Sequence, residues 1–167
     1  GPHDEGGHKV TRFNSSGGFQ GYKRSLHEGG IRIPFIANWP GVIEPGQESD
    51  LMAYFPDLMN TFCELAGADA PGTTDGISFA PFLCGEEQTK HEYLYFEYVG
   101  QLAVRKGHYK FFQSEDGEEV LYDLVADRHE DTDIKEQLPE VFDELKSCVV
   151  REHADYRGTD VPGGQVY

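Results

Sequence analysis

Glycine sets the first limit on what this chain can build. Half of its 20 glycines fall at or before Gly46, and the first thirty residues carry neither a helical period nor the two-residue alternation of a half-buried strand. That opening therefore reads as loop, and regular structure has to come from the residues after it. A polar, glycine-rich loop has one constructive use, the close approach of backbone to a ligand or rigid neighbour where a Cβ would intrude. A flexible tail is the other reading of the same composition.

From Ile31 to Trp39 the order Ile-Arg-Ile-Pro-Phe-Ile-Ala-Asn-Trp is a short apolar run closed by Pro40-Gly41, which predicts a strand ending in a turn. Pro34 has no N–H, so this strand pairs on one side only at that point or starts after it. Ser49 and Asp50 offer capping oxygens ahead of Leu51, Tyr54, Phe55, Leu58, Met59, Phe62 and Leu65, spaced three and four apart until Gly67. The spacing predicts an amphipathic helix over 51–65, starting nearer Asp57 if Pro56 takes its first turn. Residues 68–88 read as a connection with an apolar island at Ile77 to Leu83.

Three strands are expected next, over 93–99, 102–112 and 120–124. Ser114 to Glu118, with Gly117 inside, is a turn that joins the last two as an antiparallel hairpin. Pro139 followed by Val141, Phe142, Leu145, Cys148 and Val149 gives a helix with one apolar stripe, which should cover a face of that sheet. The tail from Arg157 to Tyr167 has no period.

Charge narrows the partners. The chain has 14 Lys plus Arg against 30 Asp plus Glu, a net −16 with His neutral. A field of that sign repels phosphate backbones and anionic headgroups, so neither nucleic acid nor a membrane surface is expected to bind. With 38% hydrophobic and 13% aromatic residues the chain can still bury a core. No run approaches the roughly 18 to 20 apolar residues of a spanning helix. Gly1 to Lys9 lacks the basic-then-apolar order of a secretory leader, and a chain with no initiator Met reads as a fragment. Cys63, Cys84 and Cys148 are too far apart for a Cys-x-x-Cys site and read as buried thiols rather than a disulfide framework.

Two stretches hold residues suited to chemistry. His3, Asp4, Glu5 and His8 crowd one loop, where imidazole and carboxylate can exchange protons or ligate a metal, although by themselves such residues read first as an ordinary solvated loop. His91, His108, His129 and His153 stand singly, as surface or half-buried histidines do. In Gly21 to Pro34, Lys23 and Arg24 sit side by side at the mouth of a glycine-rich loop. Lys is a mobile point charge and Arg a planar fork, a pairing suited to a small oxyanion. A solvated basic turn is the alternative.

The stretch Gly21-Tyr22-Lys23, then Glu28-Gly29-Gly30, then a strand with Pro34 and Trp39-Pro40-Gly41 resembles the Gly-x-Lys…Glu-Gly-Gly…Trp-Pro-Gly segment of arylsulfatase-type sulfatases. The opening Gly1 to Gly7 is similar to the segment after the Asp-Asn pair of bacterial glycan sulfatases. Asp57-Leu58, Leu65-Ala66-Gly67, Asp75 to Ser78, Ala103-Val104-Arg105 and Leu121 to Leu124 come in the order this family shows, so the resemblance covers about Gly1 to Tyr156.

The resemblance implies an α/β fold: the end of an alkaline-phosphatase-like sheet domain over 1–90, an antiparallel sheet with its helix over 91–156, and a tail over 157–167. It implies sulfate-ester hydrolysis, of sulfated carbohydrate or aryl sulfate, by a formylglycine matured from Cys or Ser in Cys/Ser-x-Pro-x-Arg, with calcium polarising the sulfate. None of the three cysteines here begins that motif, and the Asp-Asn calcium ligands would precede Gly1, so no metal ligand is assigned in this chain. Lys23 takes the family's catalytic lysine position, in contact with sulfate and leaving oxygen. His3 and Glu5 match the variable loop that touches the sugar, and Glu28, Gly29 and Gly30 shape the turn.

The chain by itself is then expected to be inactive, to need the N-terminal part of the same domain as partner, and to self-associate without it. A periplasmic, secreted or lysosomal location follows from the family alone. Two other readings stand beside this one: a phosphatase or phosphoethanolamine-transferase relative, and a non-catalytic carbohydrate-binding or interaction module derived from a sulfatase.

Overall fold

The two-residue alternation after Tyr93 builds a four-stranded sheet. The structure, a computed structural model, describes residues 1–153; the tail expected over 157–167 lies outside them. Strands β1 (Leu94–Tyr98), β2 (Gln101–Lys106), β3 (Tyr109–Gln113) and β4 (Glu119–Asp123) run antiparallel in the order β1-β2-β3-β4. Tyr98 opposite Gln101, and Lys106 opposite Tyr109, leave two-residue turns at Val99-Gly100 and Gly107-His108. Val99 (φ 46°) and Gly100 (φ 77°) are both left-handed, the backbone that matches strand twist in such a hairpin. The single strand expected over 102–112 is thus two. Gly107 at φ 59° folds the chain back where the apolar residues on either side had suggested continuity. The β3–β4 hairpin closes over Ser114 to Glu118 as expected, with Gly117 at φ 87°.

The earlier half is less regular. Residues Glu28–Ile31 form a single helical turn, α1. The strand expected over Ile31 to Trp39 is absent: residues 32–39 pair with no other strand, and Ile36 is 89% exposed. Ile31 is spent in α1, Pro34 lacks a ladder donor, and no described strand pairs with the segment. Helix α2 spans Phe55–Leu65 rather than 51–65, because Pro56 fits a first turn and Asp57 supplies the cap: its Oδ2 accepts the Tyr54 N–H at 2.9 Å. The island in the connection after it is a short turn of helix, α3 (Ala80–Leu83).

Both faces of the sheet are covered. Leu102, Val104, Phe111 and Leu121 point to one side, against Leu145, Cys148 and Val149 of helix α4 (Pro139–Glu152). Ala103, Phe112, Tyr122 and Leu124 point to the other, where Leu26 from the glycine-rich opening fills the space and Ile31 packs at its margin. The expected helix-on-sheet layer is present, and the opening loop forms a layer of its own.

Candidate active site

Glycine lets the Lys23 turn form. Gly29 N–H donates to the Gln20 carbonyl oxygen at 2.7 Å, and a Cβ on Gly29 would collide with the backbone oxygens of Gln20 and Gly21. A Cβ on Gly30 would collide with the carbonyl oxygen of Ser25. The Gly-Gly pair after Glu28 therefore lets α1 lie directly on the backbone of residues 20–25, the turn-shaping role expected for it. Within that turn Arg24 adopts φ 77°, a conformation unfavourable for a residue with a side chain.

The turn and the chain's opening converge. Lys23 N–H donates to the Pro2 carbonyl oxygen at 2.7 Å, and His3, Asp4 and Glu5 face Gly21 to Ser25 across a cleft of about 530 Å³. Residues separated by some twenty positions in sequence, His3, Glu5 and Lys23, thus line one depression. Glu5 bridges the two cations: Oε2 lies 3.3 Å from Lys23 Nζ and Oε1 lies 2.6 Å from Arg24 Nη1. The Lys23 hydrogen bond, and after it the Arg24 charge, hold the Glu5 carboxyl below its ordinary range. Each of these side chains is about half exposed, so the pairs orient the cleft more than they stabilise the fold. His3 Nδ1 accepts the Glu5 N–H at 3.2 Å, and Asp4 pairs with Lys9 at 3.5 Å.

Chemically, an ammonium and a guanidinium side by side and open to solvent can hold the oxygens of an oxyanion, as they hold the Glu5 carboxylate. They do not suit calcium. The two carboxylates at hand are already paired with Lys9, Lys23 and Arg24, whereas calcium takes six to eight oxygens. No cluster of three or more His, Cys, Asp or Glu able to hold a metal occurs among the described residues.

A family model described as N-sulphoglucosamine sulphohydrolase, C-terminal, matches residues 17–155. The chain belongs to that family. The sulphohydrolase match begins just ahead of the Lys23 turn and runs through the sheet and α4, so it joins the cleft's cationic wall and its scaffold in one unit. Human arylsulfatase A is 38% identical over 109 residues, covering 61% of this chain and 21% of that protein. The N-acetylgalactosamine-6-O-sulfatase of Bacteroides thetaiotaomicron is 28% identical over 164 residues, 87% of this chain and 32% of that one. A solved structure from a Bacteroides thetaiotaomicron locus for the metabolism of multiple glycosaminoglycans superposes with a TM-score of 0.70 at 28% identity, over 85% of this chain and 34% of that one. The chain spans about a third or less of these relatives' length.

Several residues that shape the site escaped the sequence reading. Gln101, Lys110 and Glu130 reach the turn from the sheet side, and His27 Nδ1 lies 3.3 Å from Glu130 Oε1. Burial alone would raise Glu130, but the His27 imidazole, the Lys110 ammonium and the Glu28 N–H outweigh it and leave the carboxyl lowered. Lys110 had one legible signal: strand alternation puts it on the same face as Phe112, a buried face.

Proposed function

We propose that this sulphohydrolase region is the C-terminal part of an enzyme that hydrolyses sulfate esters of carbohydrates, with Lys23 as the catalytic residue it contributes. The observation that carries the reading is the convergence of Lys23 Nζ and Arg24 Nη1 on one carboxylate in an open cleft. Cleavage of a sulfate ester leaves negative charge on the departing oxygen, and an ammonium already aimed at that position stabilises the transition state by about 3 kcal/mol, as a single oxyanion donor does. Arg24 takes a second sulfate oxygen with its planar fork. His3 and Glu5, on the facing wall, meet the sugar hydroxyls.

Calcium and formylglycine belong to this reading as components supplied by other residues of the enzyme, since the carboxylates here do not fit the metal and no cysteine here starts the maturation motif. The rest of the catalytic domain is accordingly the natural partner of the exposed apolar residues, and the location is periplasmic, secreted or lysosomal, in keeping with the family. The chain alone turns over no sulfate ester.

The test compares a complete enzyme carrying this segment with its Lys23→Ala variant on 6-O-sulfated hexosamines and on a chromogenic aryl sulfate. A fall in kcat/KM of about two to three orders of magnitude is expected. Unchanged turnover removes Lys23 from the reaction, and hydrolysis by the isolated chain above its own Lys23→Ala control overturns the division of labour.

A further inference from the structure

The cleft is lined by residues of the opening and the turn, yet side chains that do not line it hold that turn in place. Gln101, the first residue of β2, spans the turn with its carboxamide: Oε1 accepts the Leu26 N–H at 3.1 Å, and Nε2 donates to the Arg24 carbonyl oxygen at 3.2 Å. Gln101, Ala103 and Arg105 share one face of β2 by strand alternation. The register sets Ala103 beside Phe112 and Arg105 beside Lys110, so the same face continues onto β3. Ala103 and Phe112 make the floor under Leu26.

Past that floor the attachment is ionic and dry. Lys110 Nζ is fully buried, 3.1 Å from Glu28 Oε1 and 2.7 Å from Glu130 Oε1. Glu130 Oε2 accepts the Glu28 N–H at 2.7 Å, and Arg105 and Arg32 stand 3.7 and 3.8 Å from Glu28 Oε2. A buried ammonium between two carboxylates is a poor source of stability, because desolvation offsets the attraction, but it accepts few alternative geometries. One residue at each attachment, Arg24 (φ 77°) under Gln101 and Glu130 (φ 62°) beside Lys110, holds left-handed backbone that surrounding structure must enforce. From Arg24 to Glu28 the turn is thus tied at both ends by polar groups and in the middle by an apolar plug.

We propose that Gln101 and Lys110 are positioning residues: acting from the sheet, they set the Lys23–Arg24 turn and with it the geometry of the oxyanion seat. The proposal rests on the reading of the cleft as that seat. The sheet is then a jig for the cleft's cationic wall, built on the face that α4 leaves free.

The experiment uses the chain itself with Gln101→Ala, Gln101→Glu and Lys110→Met, residue-resolved amide hydrogen exchange, and titration with sodium sulfate at constant ionic strength, read at the Lys23 amide. In Gln101→Ala, Val104 and Phe111 should exchange as in the wild type, while Ser25 and Leu26 exchange at least about tenfold faster. Sulfate affinity should fall roughly fivefold. Gln101→Glu keeps the acceptor for Leu26 and loses the donor to Arg24, so it should fall between. Lys110→Met should loosen Gly29 to Arg32 in the same way; if it does not fold, Gln101→Ala carries the test alone. Wild-type exchange in the turn of Gln101→Ala overturns the proposal, and so does a loosened turn with wild-type sulfate affinity, which marks a structural tie only. Sulfate binding indifferent to Lys23→Ala is a different failure: it overturns the reading of the cleft, and the exchange of Ser25 and Leu26 still decides whether Gln101 fastens the turn.

Discussion

Asp57 Oδ1 lies 2.8 Å from His91 Nε2, joining the first turn of α2 to the segment that enters β1. The same carboxylate accepts the Ile77 N–H at 2.8 Å and, through Oδ2, the Tyr54 N–H, while its residue is 1% exposed. Three segments far apart in sequence meet on one buried anion. Asp57→Ala leaves two part-buried N–H groups and an imidazole without their acceptor, and should destabilise the chain by about 3 kcal/mol in urea unfolding. His91→Ala removes one partner of three and should cost clearly less; equal losses would mean the histidine, not the carboxylate, organises the junction.

Acid should weaken the tie between sheet and turn. The Glu130 carboxyl is held below its ordinary 4.5 in the folded chain, where burial raises it but His27 and Lys110 lower it further. A folded value below the unfolded one adds stability above the unfolded value, and that contribution disappears as pH falls through the folded value. Asp133, which burial raises and the Lys135 and Leu121 N–H groups together lower further, acts with the same sign. Glu130→Gln should therefore be clearly less stable than wild type near pH 7 and approach it as pH falls below the carboxyl's ordinary 4.5. A difference that grows on acidification reverses the sign and removes Glu130 from the buried network.

How far the sequence reaches depends on the range of the forces involved. The β3–β4 hairpin and α4 were legible because their signals are local: Ser114 to Glu118 is a turn by its own chemistry, and Pro139 with an apolar stripe is a helix by its own period. The strand expected over Ile31 to Trp39 failed for the same reason inverted, since an apolar run becomes a strand only when another edge pairs with it. Gly107 sits between Lys106 and His108, and a glycine inside a strand-like stretch marks either a bulge or a turn. Around the cleft, Lys23 came with the Gly-x-Lys…Glu-Gly-Gly pattern, and Glu5 with a match to a variable loop. Lys110 did not, because its partner Glu28 is 82 positions away and a lysine in a strand reads as solvated until something is known to cover that face. Gln101 gave no signal, as its role lies in two backbone groups of another segment.

The uncovered apolar residues should make the isolated chain associate. Phe55, Met59 and Phe62 form one stripe along α2, each more than half exposed, and Phe35 and Ile36 in the unpaired 32–39 segment are exposed too. Large apolar side chains left in water in this number mark surfaces that other chains cover. Light scattering should detect association at about 50 micromolar, reduced in a Phe55→Asp, Phe62→Asp double variant. A monodisperse wild-type monomer at that concentration would show that the stripe is tolerated in water.

Gly30 offers the sharpest check on the turn's construction. A methyl group there meets the carbonyl oxygen of Ser25 well inside contact distance, and the Tyr22 carbonyl oxygen at 2.8 Å; both are backbone atoms, which cannot rotate away as a side-chain tip can. The turn itself cannot retreat, because Leu26 is plugged against Phe112 and the Arg24 carbonyl is held by Gln101. Gly30→Ala should therefore cost more than the roughly 1 kcal/mol gained when an unstrained glycine loses conformational freedom, and lower both thermal stability and sulfate affinity. Gly72 supplies the control. It lies in the exposed connection before α3, where a methyl group would have no neighbour within 4 Å, and its backbone is not left-handed, so Gly72→Ala should be neutral or slightly stabilising. Equal effects at the two positions would mean that the close packing of α1 on residues 20–25 is not needed to hold the Lys23 turn.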